Sequence, residues 1–388
     1  MNRKLTVVSW MAATTLASTA FAANGVFVVS YNEGKIYWVG TDGSGPHVVR
    51  DELTPRPAGA AFDSQGTGTL YWSQGVTSSG GTIYQSNPDG SEQSVAAAGF
   101  GWAASMALDT VHQKLYMAEW NECDSGDNVS SGLRRIDLSG SNSVMIDADA
   151  DCGEGVAVDP VGGKVYWAKT NSTPTGGIYR ANLDGSDRVL LIPVPGTQVG
   201  VHLELDVSGN AIYWSVSGFM GQPKEIRRSN LSDGGQTETL ITFASPNASI
   251  YIAGLAVDPD AGFIYWIQNS GTNQVLRRAH LDGSNNLPMF GVPASTHLTG
   301  IALDKRTPFC TRTSMYADIT NLQGSVEFGD VSVVVDAFRG QFLIDPTLCD
   351  LYPCDLGGRR CMGDGLIDFR DVSQVVDAFR NVYTNCPE

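Results

Sequence analysis

A short apolar segment that ends in Asp recurs six times along the chain, and this repeat constrains the fold more than any other feature. The six segments end at Asp63, Asp109, Asp159, Asp206, Asp258 and Asp304. Successive Asp residues are 46 to 52 positions apart. That interval accommodates about four strands of 5–6 residues with their turns. Four antiparallel strands at this period are typical of a propeller blade, so the repeat predicts an all-β propeller.

A second strand follows each of the first five Asp residues within eight positions, and in it an aliphatic residue precedes Tyr and usually Trp. The five copies are Leu70–Trp72, Leu115–Met117, Val165–Trp167, Ile212–Trp214 and Ile264–Trp266. A third strand then leads to a turn such as Asp184-Gly185-Ser186. Asp-Gly between apolar strands is a strong hairpin signal. The order of strands and turns is therefore the same in every repeat.

Two incomplete repeats lie at the ends of the series. Ile36 precedes Asp42 by the same six positions that separate Ile178 from Asp184, so residues 36–38 are interpreted as a third strand. The segment that ends at Asp304 has no second strand after it. The two fragments complete each other, which predicts five whole blades and a sixth closed by both ends of residues 23–310. Such closure removes exposed sheet edges.

The Tyr-Trp strands, the Asp-Gly-Ser turns and a row of arginines resemble the YWTD repeats of the low-density lipoprotein receptor class B family over roughly residues 24–310. The arginine row comprises Arg135, Arg180, Arg228 and Arg278. This resemblance implies a six-bladed propeller that acts in protein recognition. The Asp that closes the family signature is replaced by Gln74, Glu119, Lys169, Val216 and Gln268. A specific receptor function is therefore not implied.

The fourth repeat breaks the pattern of its own first strand. Four positions before the Asp the other repeats carry Gly or Ser, and two positions before it they carry Ala, whereas the fourth repeat has His202 and Glu204. A period of two places both side chains on one face of the strand. They are candidate ligand-binding residues at the axial channel, since imidazole and carboxylate together bind cations or polar ligands. The alternative is a polar plug that is hydrogen-bonded to channel water.

The loops at the same end as His202 contain further candidates. Trp120 and Phe219 are predicted partner anchors, because exposed aromatic residues carry much of the energy of protein interfaces. Local loop packing is the alternative. Cys123 and Cys152 lie in connections at one end of the propeller, which makes them a candidate disulfide in an exported chain.

A different duplication follows residue 310. Residues 326–340 and 367–381 are identical at ten of fifteen positions, and each copy carries apolar residues at helical spacing behind an acidic, Gly-containing loop. The pair resembles a dockerin-like module of EF-hand-like loop–helix motifs, predicted over residues 311–388. The resemblance implies weak Ca²⁺ binding by Asn321, Glu327, Asp330, Asp364, Asp368 and Asp371. The alternative is a helix pair without metal, held by its apolar face and by disulfides among Cys310, Cys349, Cys354, Cys361 and Cys386, whose pairing stays open.

The first 22 residues are typical of an export signal. Arg3 and Lys4 precede a mostly apolar stretch, and Ala20-Phe21-Ala22 is a small-x-small cleavage site. No later stretch is long and apolar enough to predict a membrane span. The formal net charge of -16 argues against a nucleic-acid partner. A secreted, periplasmic or cell-surface location is expected.

These observations predict an exported, non-enzymatic binding protein. One face of the propeller would recognise a protein or a polysaccharide at the cell surface, and the C-terminal module would attach or cap the chain. The alternative is a propeller hydrolase or lyase with a metal at the axial channel, which depends on His202 and Glu204.

Overall fold

The computed structural model describes the repeat region of the chain. Its described residues are 24–65, 68–75, 80–120, 132–148, 155–169, 176–194, 201–217, 224–243, 251–270 and 273–306. The predicted signal peptide, Phe219, the candidate Cys123–Cys152 disulfide and the whole C-terminal module lie outside these ranges.

The described residues form 24 strands in six antiparallel four-stranded sheets. The chain begins with β1 (Gly25–Ser30), β2 (Lys35–Gly40) and β3 (His47–Arg50). Blade 1 is β4 (Pro57–Asp63), β5 (Thr69–Gln74), β6 (Gly81–Ser86) and β7 (Ser94–Phe100). Blade 2 is β8 (Trp102–Asp109), β9 (Lys114–Trp120), β10 (Gly132–Asp137) and β11 (Val144–Asp147). Blade 3 is β12 (Val156–Asp159), β13 (Lys164–Lys169), β14 (Gly177–Asn182) and β15 (Val189–Pro193).

The remaining strands complete the ring. Blade 4 is β16 (Leu203–Asp206), β17 (Ala211–Ser217), β18 (Lys224–Asn230) and β19 (Glu238–Thr242). Blade 5 is β20 (Tyr251–Asp258), β21 (Phe263–Asn269), β22 (Asn273–His280) and β23 (Leu287–Pro293). A 3₁₀ turn, Ala294–Thr296, leads into β24 (Leu298–Asp304). Within the ranges given above, this turn is the only helical element, and no helix there is long and apolar enough to cross a membrane.

Blade 6 is closed by both ends of the repeat region, as the sequence predicts. Its sheet has the order β24-β1-β2-β3. In the antiparallel pairing of β1 with β24, Gly25 lies opposite Asp304 and Phe27 lies opposite Ala302. The six-bladed propeller predicted from the repeat is therefore confirmed.

In blades 1–5 the recurring Asp at the end of the first strand has a local role in the turn that follows. The Oδ1 atom of Asp109 accepts the backbone N–H of His112 at 2.8 Å, and Asp159 accepts that of Gly162 at 2.8 Å. A carboxylate that binds the N–H groups of its own turn stabilises the reversal between two strands. The repeated Asp therefore reflects turn chemistry.

The apolar core lies between neighbouring blades. One cluster joins Ala157 and Tyr166 of blade 3 to Leu203 and Trp214 of blade 4. The second-strand tryptophans are almost completely buried in such clusters: Trp72, Trp167, Trp214 and Trp266. Full burial of a large apolar side chain contributes about 1.5–3 kcal/mol. A blade is therefore stabilised mainly by its neighbours, as in other repeat architectures.

The first strands converge at the axis and approach one another closely. A Cβ atom built on Gly155 of blade 3 would lie 2.5 Å from the carbonyl oxygen of Val201 in blade 4. Only a residue without a side chain fits such a contact. We call the end at which the first strands begin, beside Gly155 and Val201, the upper face. The lower face is the end at which they reach the recurring Asp.

Candidate functional site at the upper face

The backbone of His202 is held in place by the second strand of its own blade. The His202 N–H donates to Ser215 Oγ at 2.9 Å, and the Ser215 N–H donates to the His202 carbonyl at 2.9 Å. Glu204 lies two residues further along, within β16. The structure therefore places His202 directly before the innermost strand of blade 4 and Glu204 within that strand, at its upper end.

The His202 imidazole contacts the neighbouring blade. It forms a hydrogen bond with the backbone of Ile252 in blade 5. Because the Ile252 N–H already donates to Ser217 Oγ at 2.9 Å, the Ile252 carbonyl is the group that accepts from the imidazole. Burial lowers the pKa of His202 to about 4, and the bond with Ile252 acts in the opposite direction. His202 is therefore neutral at pH 7 and links blade 4 to blade 5.

Ser105 occupies the same position in blade 2 and has the same role. Its Oγ accepts the N–H of Val156, the first residue of β12 in blade 3, at 3.3 Å. The position four residues before the Asp is thus directed toward the next blade. An inter-blade hydrogen bond accounts for the departure from Gly at both positions. Ligand binding by His202 and Glu204 stays a prediction.

The axial cavity below the upper face is small. It has a volume of about 30 Å³ and is lined by the first strands of blades 1, 2, 4, 5 and 6, with Ser105, His202, Glu204 and Thr299 among its walls. This volume accommodates about one or two water molecules. Within the part of the chain that the structure describes, no three His, Cys, Asp or Glu side chains converge on a common metal position. A larger ligand would contact the rim of the channel.

A cluster of aromatic and cationic side chains lies at that rim, where blades 6, 1 and 2 meet. The Tyr31 ring centroid lies 5.7 Å from that of Trp102 and 5.5 Å from that of His297. The guanidinium carbon of Arg56 lies 5.2 Å from the Tyr31 ring centroid. These separations are typical of aromatic and cation–π contacts. We refer to Tyr31, Arg56, Trp102 and His297 as the rim cluster.

Hydrogen bonds of the backbone and of the Asn32 side chain position the rim cluster. The Tyr31 N–H donates to the His297 carbonyl at 2.8 Å, which joins the connection after β1 to the connection before β24. Arg56 Nη1 donates to Asn32 Oδ1 at 3.0 Å, and Asn32 Nδ2 donates to the Ser295 carbonyl at 2.7 Å. Three chain segments that are far apart in sequence are therefore fixed at one site.

The charge of the rim cluster comes from Arg56. Burial lowers the pKa of His297, and the nearby Arg56 cation lowers it further, so the imidazole is neutral at pH 7. Arg56 is exposed, whereas Tyr31, Trp102 and His297 are partly buried. The cluster thus combines partly buried rings with one exposed guanidinium. Aromatic residues and Arg in such settings dominate many protein interfaces.

None of the four rim-cluster residues was predicted from the sequence, but one predicted anchor, Trp120, lies next to the cluster along the backbone. The register of β8 and β9 pairs the Cα atom of Trp120 with that of Trp102. The predicted anchor therefore lies opposite a member of the rim cluster along the backbone. Phe219 lies outside the described residues, as do Cys123, Cys152 and the six predicted calcium ligands. Only the spatial proximity created by closure of blade 6 identifies the other members.

Sequence comparison with known proteins finds partial matches. No protein-family model matches the chain. Protein cueball of Drosophila persimilis is 32% identical over 111 residues, a match that covers 28% of this chain and 16% of the relative. Protein cueball of Drosophila yakuba is 30% identical over 111 residues, with the same coverage. The chain thus spans about one-sixth of the length of these curated relatives.

Two solved structures share the architecture. A chain from a crystal structure of a nidogen–laminin complex aligns with a TM-score of 0.56 and 17% identity, over 73% of this chain and 99% of that chain. TolB from Acinetobacter baumannii aligns with a TM-score of 0.56 and 14% identity, over 73% of this chain and 66% of that chain. At these identities the similarity concerns the fold, and the fold is that of a six-bladed β-propeller.

Proposed function

We propose that this protein is an exported, non-enzymatic binding protein that recognises a protein partner through the upper face of its propeller. The rim cluster is the observation that carries this proposal. Tyr31 and Trp102 supply rigid apolar surface, and Arg56 supplies a cation beside them. Partner recognition needs such anchors on a scaffold that loses little entropy on binding.

The size of the axial cavity supports recognition at the surface. A space of about 30 Å³ is too small for a drug-sized or metabolite-sized ligand, which needs about 300 Å³ or more. The polar residues around it contribute to contacts between blades, as His202 does with Ile252. A partner would therefore bind across the rim, where the rings of Tyr31 and Trp102 lie.

The similarity to a chain from a nidogen–laminin complex favours a protein partner. A propeller of this architecture is there part of a protein complex. Aromatic rings also stack on sugars, so a polysaccharide is the competing ligand. The two ligands respond differently to chemical treatment of the cell surface, which makes the choice testable.

The test is binding of the fluorescently labelled full chain to cells of its host. We expect Tyr31→Ala combined with Arg56→Ala to weaken binding at least tenfold. Tyr179→Ala combined with Arg188→Ala is the matched control, because it removes a similar cation–π pair on the perimeter of blade 3. Equal binding by the two double variants would contradict the role of the rim cluster. Loss of binding after protease treatment of the cells indicates a protein, and loss only after periodate oxidation indicates a polysaccharide.

The C-terminal residues 311–388 are proposed to attach the propeller to a surface protein. The duplicated loop–helix pattern in the sequence supports this role. We also propose weak Ca²⁺ binding by the six predicted acidic and amide ligands. The chain divides into two units after Asp304, where β24 has already completed blade 6. We expect a chain that ends at residue 310 to keep the melting temperature of its propeller and to lose retention on cells. Unchanged retention of the shortened chain on cells would contradict the attachment role.

A further inference from the structure

The turn after the first strand of blade 2 contains a histidine where the other whole blades have a small residue. His112 is the third residue after Asp109, and the equivalent residues of blades 1, 3, 4 and 5 are Gly66, Gly162, Gly209 and Ala261. A Cβ atom built on Gly162 would lie 2.1 Å from Oδ2 of Asp159 in its own turn. The turn itself therefore needs no side chain at this position, and a histidine there has to be accommodated.

Asp109 fixes the orientation of the His112 ring. His112 Nδ1 lies 2.8 Å from Asp109 Oδ2, and the Asp109 side chain is completely buried. Because a carboxylate accepts hydrogen bonds, Nδ1 carries the hydrogen of the neutral ring and Nε2 presents a lone pair. The His112 side chain is 50% exposed. Blade 2 thus holds an oriented hydrogen-bond acceptor at its surface.

His112 lines an open groove on the lower face, at the junction of blades 2 and 3. The groove has a volume of about 390 Å³. Sites for small molecules occupy about 300–1,000 Å³. Lys114 and Arg135 of blade 2 and Asp184 of blade 3 also line the groove. Lysine and arginine carry several N–H donors, and aspartate carries only acceptors, so both kinds of group are available on the walls.

Two of these side chains are held in place by blade 3. Arg135 Nη1 donates to the Leu183 carbonyl at 2.9 Å. Asp184 Oδ1 accepts from the backbone N–H of Ser186 at 2.9 Å and from its hydroxyl at 2.6 Å. Polar groups that are already fixed lose little conformational entropy when a ligand binds.

The formal charges on the groove walls cancel. The basic residues Lys114 and Arg135 are balanced by Asp109 and Asp184. Lys114 also pairs with Asp137 outside the groove lining. A charged ligand would therefore gain little net attraction in return for the water that it loses. A neutral ligand rich in hydroxyl groups fits better, because each hydroxyl both donates and accepts.

We propose that the groove at the junction of blades 2 and 3 binds a neutral sugar. One sugar hydroxyl donates to His112 Nε2, a second donates to Asp184, and Lys114 donates to a third hydroxyl oxygen. The groove is at the opposite end of the propeller from the rim cluster and takes a small molecule, so the inference goes beyond the proposed function.

The test is saturation-transfer difference NMR of the full chain with methyl β-D-glucopyranoside, methyl β-D-galactopyranoside and methyl α-D-mannopyranoside. We expect at least one of these neutral probes to bind with a dissociation constant on the order of 1 mM, since a ligand of this size makes few contacts. His112→Gly should weaken that binding at least tenfold and should fold, because Gly162 and Gly209 occupy the equivalent positions. His47→Ala removes an exposed histidine from the outer strand of blade 6 and should leave binding unchanged.

A second variant tests the opposite wall of the groove. Asp184→Asn should weaken binding at least threefold, while the amide oxygen of Asn still accepts the N–H groups of its turn. Asp282→Asn makes the same change in the equivalent turn of blade 5 and should have less than a twofold effect. Melting temperatures of all variants verify that the propeller is folded.

Three results would overturn the proposal. The first is that none of the three neutral probes binds, and the second is that His112→Gly binds as well as the unaltered chain. The third is tighter binding of anionic methyl β-D-glucuronide or of zwitterionic L-alanine, which would assign the groove to a charged ligand. Tyr31→Ala should leave sugar binding intact, so failure here is distinguishable from failure of the proposed function.

Discussion

Arg135 of blade 2 donates a hydrogen bond from Nη1 to the carbonyl of Leu183 in blade 3, over 2.9 Å. In each such contact the acceptor is the residue directly before the Asp in the turn that follows the third strand of the next blade. The equivalent pairs are Arg180 with Ser232 and Arg278 with Thr41. Three of the four arginines that mark the repeat therefore join neighbouring blades, whereas Arg228 pairs with Glu238 of its own blade. A charged donor to a backbone carbonyl is among the stronger hydrogen bonds in a protein.

Removal of Arg135 should loosen the junction of blades 2 and 3. We expect Arg135→Ala to lower the free energy of unfolding by about 1–2 kcal/mol, toward the low end for a charged hydrogen bond. Tyr116 also donates to the Leu183 carbonyl at 3.0 Å, so the acceptor stays satisfied. Urea denaturation measures the change. Gln85 holds the same row position in blade 1 but bonds to Ser94 of its own blade, so Gln85→Ala should change stability by less than about 0.5 kcal/mol.

Substitution of two turn glycines distinguishes the cost of backbone strain from the cost of a steric overlap between blades. Gly234 and Gly43 both have positive φ, at 71° and 91°. A Cβ atom on Gly234 would overlap the Leu191 carbonyl of blade 3, whereas one on Gly43 would meet nothing within 4 Å. Gly43→Ala should cost about 1–2 kcal/mol for the left-handed conformation alone. Gly234→Ala should cost about 1–3 kcal/mol more because of the overlap, and equal losses in denaturation would contradict the close approach.

Asp147 is a buried carboxylate that accepts hydrogen bonds from two side chains. It is 3% exposed and accepts from Trp167 Nε1 at 3.1 Å and from Arg188 Nη1 at 2.8 Å. We expect Asp147→Ala to destabilise the protein by about 2–3 kcal/mol, since the buried indole N–H loses its acceptor. The Arg188 side chain is 45% exposed, so Arg188→Ala should cost less than about 1 kcal/mol. Similar costs for the two variants, measured by tryptophan fluorescence in urea, would show that the ion pair matters more than the indole.

His202 should make stability depend on pH. The pKa of its imidazole is about 4 in the folded protein, below its ordinary 6.5. The unfolded chain therefore binds the proton more readily between these values, and stability falls as the pH drops from about 6.5 toward 4. This contribution is present at neutral pH and amounts to about 2–3 kcal/mol lost between pH 7.5 and pH 4.5.

The matched variant is His202→Ser, because blade 2 carries Ser105 at the equivalent position. The variant removes the titrating group while keeping a side chain that forms hydrogen bonds. Denaturation at pH 7.5 and pH 4.5 should show a smaller loss of stability in the variant, by about 2–3 kcal/mol. An equal loss in both proteins would mean that other groups account for the acid sensitivity.

The fold could be predicted from the sequence because every blade repeats the same local chemistry. In blades 1–5 the Asp of the first strand binds its own turn, as Asp159 does, and each Tyr-Trp second strand buries its indole against a neighbouring blade. Because such local requirements recur at a fixed period, they can be recognised in the sequence alone. The closing pair of β1 and β24 followed from the same period, because two incomplete repeats had to share one sheet.

Only part of the candidate site could be predicted from the sequence. A strand period of two places His202 and Glu204 on one face, but it does not say which neighbour that face meets. The structure shows that the His202 imidazole meets Ile252 in blade 5, across a junction that depends on the packing of the ring. The rim cluster carried no sequence signal, because Tyr31 and His297 belong to opposite ends of the repeat region.

By itself, the sequence determined the number of blades, the order of strands within each blade and the closure of blade 6, since these follow from turn chemistry and periodic burial within about 50 residues. Only the tertiary structure decided which side chains meet between blades. It placed three of the four row arginines against the next blade, and it placed the His202 imidazole against Ile252. It also brought Tyr31, Arg56, Trp102 and His297 together. Contacts of this kind arise when the ring closes, so their geometry depends on all six blades at once.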